Sequence, residues 1–139
     1  MSMGYGGFAR QLDEDSVSVI YEYGGYNLNE PEFKNAERIC DGILSVSKDC
    51  FIEPEIHQWI RRMPSGRKKF VIKRIPREVN IAAELQNGKI SIENCSHSWH
   101  LCTFPGNRMV DLTATRLLDK LFIEYQRTGK IPENIFWDC

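Results

Sequence analysis

Between Cys95 and Cys102 the chain reads Cys95-Ser96-His97-Ser98-Trp99-His100-Leu101-Cys102, the residue types most able to do chemistry in this sequence. Two thiols and two imidazoles form a zinc-compatible donor set. On an extended strand, Cys95 and His97 point to one side, and His100 and Cys102 to the other. All four reach one ion only if a bulge near Ser98 or Trp99 re-aims half of them. Zinc sites usually separate two ligand pairs by a loop of about 12 residues or more, and this octet has no such loop. The reading is a strand end with half-buried Cys and His, and no stoichiometric metal is expected. A Cys–His nucleophile pair is the other chemistry these types allow, because imidazole lowers the pKa of a neighbouring thiol. Such pairs are usually distant in sequence and close in space, so adjacency is poor grounds for one. Gly4-Tyr5-Gly6-Gly7 has no strand before it and no Gly-Lys-Ser/Thr after it, so it is not a phosphate loop. No cofactor is expected, and no constellation identifies a reaction.

Charge is the second source of chemistry. The 139 residues sum to −1, which gives no global preference for nucleic acid or anionic membrane. The mean conceals a split. Residues 1–50 carry nine acids against four bases, a balance of −5, while residues 51–77 carry two acids against eight bases, a balance of +6. The blocks either neutralise each other as neighbours or form two faces, one of which meets a partner. On the acidic side, Asp13, Glu14, Asp15, Glu22, Glu30 and Glu32 are the candidate contacts, with Tyr21, Tyr23 and Tyr26 as aromatic anchors among them. On the basic side, the run from Arg61 to Arg77 could track a phosphate backbone, with Trp59, Phe70 and Tyr26 stacking on bases if exposed. The alternative places Trp59 and Phe70 in the core.

These residues need elements to position them. Leu118, Leu121, Phe122 and Tyr125 recur at helical spacing, and Val110, Ala114 and Leu117 widen the stripe. Asp111 caps this helix, and Gly129 sits where a helix ends in a left-handed residue. So broad a face needs a sheet to cover. Phe8–Leu12 and Val17–Tyr23 predict a hairpin about the Asp13–Ser16 turn, and Gly42–Ser47 a third strand. A short helix is expected over Glu32–Ile39. Pro54 at a first helical position, the stripe Ile56, Trp59, Ile60 and Met63, and the stop at Pro64 predict a second amphipathic helix. Arg67–Ile75 reads as a strand. Val79–Leu85 and Lys89–Asn94 read as a hairpin about Asn87-Gly88, a pair suited to a type I′ turn. Lys130–Cys139 reads as a tail. The sum is one α+β domain over residues 1–139: an antiparallel sheet of five to six strands, two hairpins plus one or two further strands, covered by two amphipathic helices.

Five cysteines at irregular spacing argue against a disulfide framework and for reduced thiols. Residues 1–12 are Gly-rich without an apolar signal core, and no run of about 18 apolar residues exists. A cytoplasmic location follows as the expectation.

With this layout, the chain resembles the small cytosolic immunity proteins found beside polymorphic and contact-dependent toxins in bacteria. The phrases Tyr21-Glu22-Tyr23-Gly24-Gly25-Tyr26-Asn27-Leu28-Asn29 and Gly129-Lys130-Ile131-Pro132-Glu133 carry the likeness, together with size, fold class and patched charge. The resemblance implies tight binding to one toxin domain, frequently a nuclease, with the immunity surface blocking its active site. A nuclease cleft is usually basic, so the acidic face is the expected docking surface. A metal protein or enzyme centred on Cys95–Cys102, and a nucleic-acid module using residues 61–77, are the alternatives.

Overall fold

β-Branched and aromatic residues alternating with polar ones give Tyr5–Glu14 (β1) and Ser18–Asn27 (β2), an antiparallel hairpin, in the computed structural model, which describes residues 3–139. Asp15 closes the turn. Its carboxylate accepts from the backbone N–H groups of Val17 and Ser18 at 2.7 Å each, and those bonds hold its pKa below the usual range. Gly42–Ser47 (β3) pairs with β2. Two further strands, Glu55–Arg62 (β4) and Lys68–Ile75 (β5), form a separate two-stranded sheet. A six-residue helix, Ile81–Gln86 (α1), leads into Ile90–Glu93 (β6), which pairs with β3. Leu101–Phe104 (β7) and Arg108–Asp111 (β8) form another small hairpin. Helix Leu112–Thr128 (α2) follows, and Asn134–Asp138 (β9) returns to pair with β1. The main sheet is antiparallel throughout, in the order β6-β3-β2-β1-β9.

The core lies between this sheet and α2. Period-2 alternation sends Val19, Tyr21 and Tyr23 of β2, Leu44 and Val46 of β3, and Ile90 of β6 to one face, all fully buried or nearly so. Ala114, Leu117, Leu118, Leu121 and Phe122 cover them from α2. Asp111 caps α2 by accepting from Thr113 N–H, and Gly129, at φ 76°, ends it with its N–H on the Tyr125 carbonyl. The expected α+β class and antiparallel sheet are therefore present, with one long helix rather than two.

Several segments depart from expectation, among them the β7–β8 hairpin, which no sequence signal marked. Residues 54–63 form β4, not a helix. Ile56, Trp59 and Ile60 fit a helical stripe but are also strong strand formers, and β5 supplies the partner that decides it. Residues 79–85 are mostly helical. Asn80 caps α1 by accepting from Ala83 N–H, and Ala82, Ala83, Glu84 and Leu85 are good helix formers. Asn87-Gly88 thus ends a helix, with Asn87 in the right-handed region, rather than turning a hairpin. Glu32–Ile39 holds only a 3-10 turn at Pro31–Phe33, followed by left-handed Asn35 and Arg38. The tail contains an edge strand, β9.

Candidate functional site

The β4–β5 ribbon gathers five exposed large apolar residues, Ile56, Trp59, Ile60, Phe70 and Ile72, on two paired strands. Residues directly opposite on paired strands share a face. The pairs Ile56–Arg74, Gln58–Ile72, Ile60–Phe70 and Arg62–Lys68 therefore make one face. Glu55–Ile75, His57–Lys73, Trp59–Val71 and Arg61–Lys69 make the other. On the first face Ile56, Ile60, Phe70 and Ile72 are each 52–65% exposed. At about 3.4 Å per residue the eight-residue strands extend roughly 27 Å. The tip is tight: Gly66 N–H donates to the Met63 carbonyl at 2.9 Å, and Met63 N–H to the Arg67 carbonyl at 2.7 Å. Arg61, Arg62, Arg67, Lys68, Lys69, Lys73 and Arg74 supply seven positive charges against the single carboxylate of Glu55. That carboxylate faces His57 at 2.9 Å.

Both roots of the ribbon are held by adjacent residues of α2. Before β4, Glu53 accepts from the Tyr125 hydroxyl at 3.0 Å, and Phe51 packs edge-on against Phe122 and Tyr125. After β5, the Gln126 amide brackets Arg77: its Oε1 accepts from Arg77 N–H at 2.6 Å, and its Nε2 donates to the Arg77 carbonyl at 2.8 Å. Gln126 is 2% exposed, so this pair of bonds is shielded from water. The helix that organises the core thus also presents the ribbon.

The acidic residues do not assemble as expected. Asp13, Glu14 and Asp15 lie exposed at the β1–β2 turn. Glu30 and Glu32 are also exposed but lie beyond the opposite end of the hairpin, about 30 Å away by strand rise. Glu14 meets Lys48 at 3.3 Å, and Glu22 pairs with Arg10 at 2.5 Å. Tyr21 and Tyr23 are fully buried under α2 and cannot anchor a partner. Their hydroxyls serve the interior: Tyr21 donates to the Pro132 carbonyl and Tyr23 to Asp111. Tyr26 is half-buried on the opposite face of the sheet, stacked on Phe8. Proximity in sequence suggested one patch, but alternation along β2 and the length of the hairpin divide it.

The Cys95–Cys102 octet is a loop entering β7, not an extended strand. Cys95 is buried, with its thiol 3.6 Å from both Ser98 Oγ and Asp111 Oδ2. Burial pushes that thiol up, against its hydrogen-bonding contact with Ser98, and Asp111 repels the thiolate further. His97 meets Ser96 Oγ at 3.1 Å, His100 lies edge-on to Trp99, and Cys102 sits opposite Val110 in the β7–β8 ladder. Among the described residues, no group of three or more His, Cys, Asp or Glu is placed to hold a metal ion. Asp111 Oδ2 instead gathers Tyr23, Ser98 and Cys95 around the start of α2. This ties the loop and sheet to the helix cap. No helix of the described residues is long and apolar enough to cross a membrane.

The fold and this surface define an α+β protein with a basic, apolar-faced ribbon rooted on its long helix. Comparisons with family models, with curated proteins and with solved structures return no match. The sequence reading placed Ile56, Trp59 and Ile60 on a helix stripe and took Trp59 and Phe70 as exposed only in the nucleic-acid alternative; both are exposed, Trp59 at 44% and Phe70 at 58%. The usable signal was Pro64-Ser65-Gly66 between two runs rich in Ile, Val and aromatic residues, a turn between strands.

Proposed function

We propose that this protein works by binding one partner protein through the β4–β5 ribbon. The observation carrying this is the unburied apolar centre of Ile56, Ile60, Phe70 and Ile72 set between Arg62 and Lys68 at the tip and Arg74 at the root. An apolar centre inside a charged rim is the anatomy of a protein interface, and aromatic and arginine residues are its usual anchors. The rim is positive, so the complementary surface is an acidic one around an apolar patch. Aliphatic side chains at the centre favour a protein over a nucleic acid, since isoleucine offers no planar face to a base.

Immunity of the toxin-neutralising kind fits this mode: a projecting ribbon covers the mouth of an acidic catalytic cleft and excludes its substrate. The face differs from the acidic one expected from sequence. A basic nuclease cleft would repel this ribbon, so the partner's docking surface carries carboxylates. The fold ties both roots of the ribbon to α2, which lowers the ordering cost on association.

The test begins with affinity capture from the native host, using the wild-type chain and an Ile60→Ser/Phe70→Ser variant side by side. A single protein retained by the wild type and lost by the variant supports the reading. Measured affinity should fall by about 100-fold or more for two truncated central anchors. Equal retention by both chains would place the interface elsewhere. Binding of a short DNA duplex in preference to any protein, abolished by Lys68→Glu/Lys69→Glu, would replace the protein partner with nucleic acid.

A further inference from the structure

On the face of the main sheet away from α2, a solvent-open cavity of about 570 Å³ is lined by Phe8, Arg10, Glu22, Arg38, Cys40, Asn134 and Phe136. Its size falls within the range of small-ligand sites. Its wall is the segment 35–40, and several features hold that segment down. Gly24, opposite Phe8 in the ladder, has no side chain, and a Cβ there would collide with the Ile39 carbonyl oxygen. The buried amide of Asn35 donates to the carbonyls of Gly25 and Ile39 and accepts from Ile39 N–H. Both Asn35 and Arg38 take left-handed backbone angles, φ 50° and 55°. For arginine that conformation is uncommon and is retained only where the surroundings impose it. The result is a guanidinium carbon seated 4.9 Å from the centre of the Phe8 ring.

The charges here are unequal. Arg10 is engaged by Glu22, whereas among the described residues no carboxylate pairs with Arg38. Cys40 adds no negative charge, because burial pushes its thiol up. The cavity thus presents one uncompensated, planar, bidentate cation beside two aromatic side chains and the Asn134 amide.

We infer that this cavity is a binding site for a small amphipathic carboxylate, with the anionic group on Arg38 and an apolar body against Phe8 and Phe136. The site is separate from the β4–β5 ribbon, and its occupancy does not require the ribbon's partner.

The test titrates 2-naphthoate into the full chain, followed by backbone amide NMR and calorimetry, with neutral 2-naphthamide as the comparison. The expected result is saturable one-to-one binding, with shifts centred on residues 8–10, 22, 38–40 and 134–136. Loss of a charge-assisted pair should weaken binding about tenfold or more in 2-naphthamide. Arg38→Asn should weaken 2-naphthoate by a similar factor while keeping the left-handed backbone, which asparagine tolerates. Glu22→Gln should tighten it, because Arg10 is then released to the ligand. Several results overturn the inference: no saturation, equal affinity for acid and amide, or no response to both Arg38→Asn and Glu22→Gln. Shifts produced only by an acidic peptide, and not by 2-naphthoate, would overturn it too and make the cavity part of a protein interface.

Discussion

The β2–β3 core and the β4–β5 ribbon are built from the same kinds of residue and meet opposite fates. Val19, Tyr21, Tyr23, Leu44 and Val46 are fully enclosed, while Ile56, Ile60, Phe70 and Ile72 stand more than half exposed. Both pairs of strands are antiparallel, and both alternate side chains between two faces. What separates them is the cover. The sheet has α2 across it, whereas the ribbon is tied to α2 at its roots, through Phe51, Glu53 and Arg77. An isolated two-stranded ribbon is marginally stable in water, so its order depends on those roots and on what it meets. Strand-forming sequence therefore decides local structure in both regions, and tertiary cover decides which apolar face is core and which is contact surface.

The comparison breaks first on stability. Leu121→Ala or Phe122→Ala should cost about 2–5 kcal/mol in urea unfolding, from lost transfer energy plus the cavity left behind. Ile60→Ala or Phe70→Ala should cost less than about 1 kcal/mol, the scale of one cross-strand pair. Equal losses in the two regions would mean that the ribbon is packed against something and is not free.

A smaller effect is expected where the core is polar. Tyr23→Phe removes the hydroxyl that donates to Asp111 at 3.0 Å and accepts from Cys95 N–H at 3.0 Å. Leaving that buried N–H and carboxylate short of a partner should cost about 1–3 kcal/mol. Asp111 itself gives a pH signature. Burial raises its pKa above the ordinary 3.8, against the hydrogen bonds that favour its charged form. The folded state therefore holds this proton to higher pH than the unfolded chain does. Its contribution to stability is fully present below the unfolded pKa and declines as pH rises through the folded value. Wild-type stability minus that of Asp111→Asn should fall as pH rises from about 4. A flat or rising difference between pH 4 and 7 would show that hydrogen bonding outweighs burial at this site.

At the roots, Gln126→Ala should cost about 1–3 kcal/mol and increase backbone motion of β4 and β5 more than of β2, read by NMR relaxation. Unchanged ribbon dynamics would separate the ribbon from its proposed support. The smallest effect belongs to the acidic turn. Asp13→Lys/Glu14→Lys should change stability by less than about 1 kcal/mol, since both side chains are exposed and Glu14 contributes only a surface pair with Lys48. The same double reversal should leave partner affinity nearly unchanged. A large loss of affinity would return the interface to the N-terminal half.

Much of the core was legible in the sequence, because its signals are periodic and local. The stripe through Leu118, Leu121 and Phe122, with Asp111 before it and Gly129 after it, marks α2 almost to its ends. Alternation through Val19, Tyr21 and Tyr23 marks β2 and its buried face. The edge elements were less legible. Ile56, Trp59, Ile60 and Met63 satisfy helical spacing as well as strand propensity, and only pairing with Phe70, Val71 and Ile72 distinguishes the two. Asn87-Gly88 suits a hairpin turn and a helix end equally, and Asn80 three residues before Ala83 was the local sign of the latter. Strand β9 depends on its long-range pairing with β1, which no local pattern encodes. Two of the candidate contact residues, Tyr21 and Tyr23, were read with the wrong solvent exposure, and so were the isoleucines of the ribbon. Tyr21 and Tyr23 went inside because their strand lies under α2, and Ile56, Ile60 and Ile72 stayed outside because no element among the described residues covers them.

The most direct test of the ribbon as contact surface is amide hydrogen exchange, comparing the free chain with its complex with the protein captured from the native host. In the free chain, amides of β4 and β5 should exchange much faster than those of β2 and β3, since the ribbon lacks a buried face. In the complex, the largest gain in protection should fall within residues 55–75. Strong protection of the ribbon in the free chain, or a gain confined to β1, β2 and the Asp13–Asp15 turn, would contradict the account.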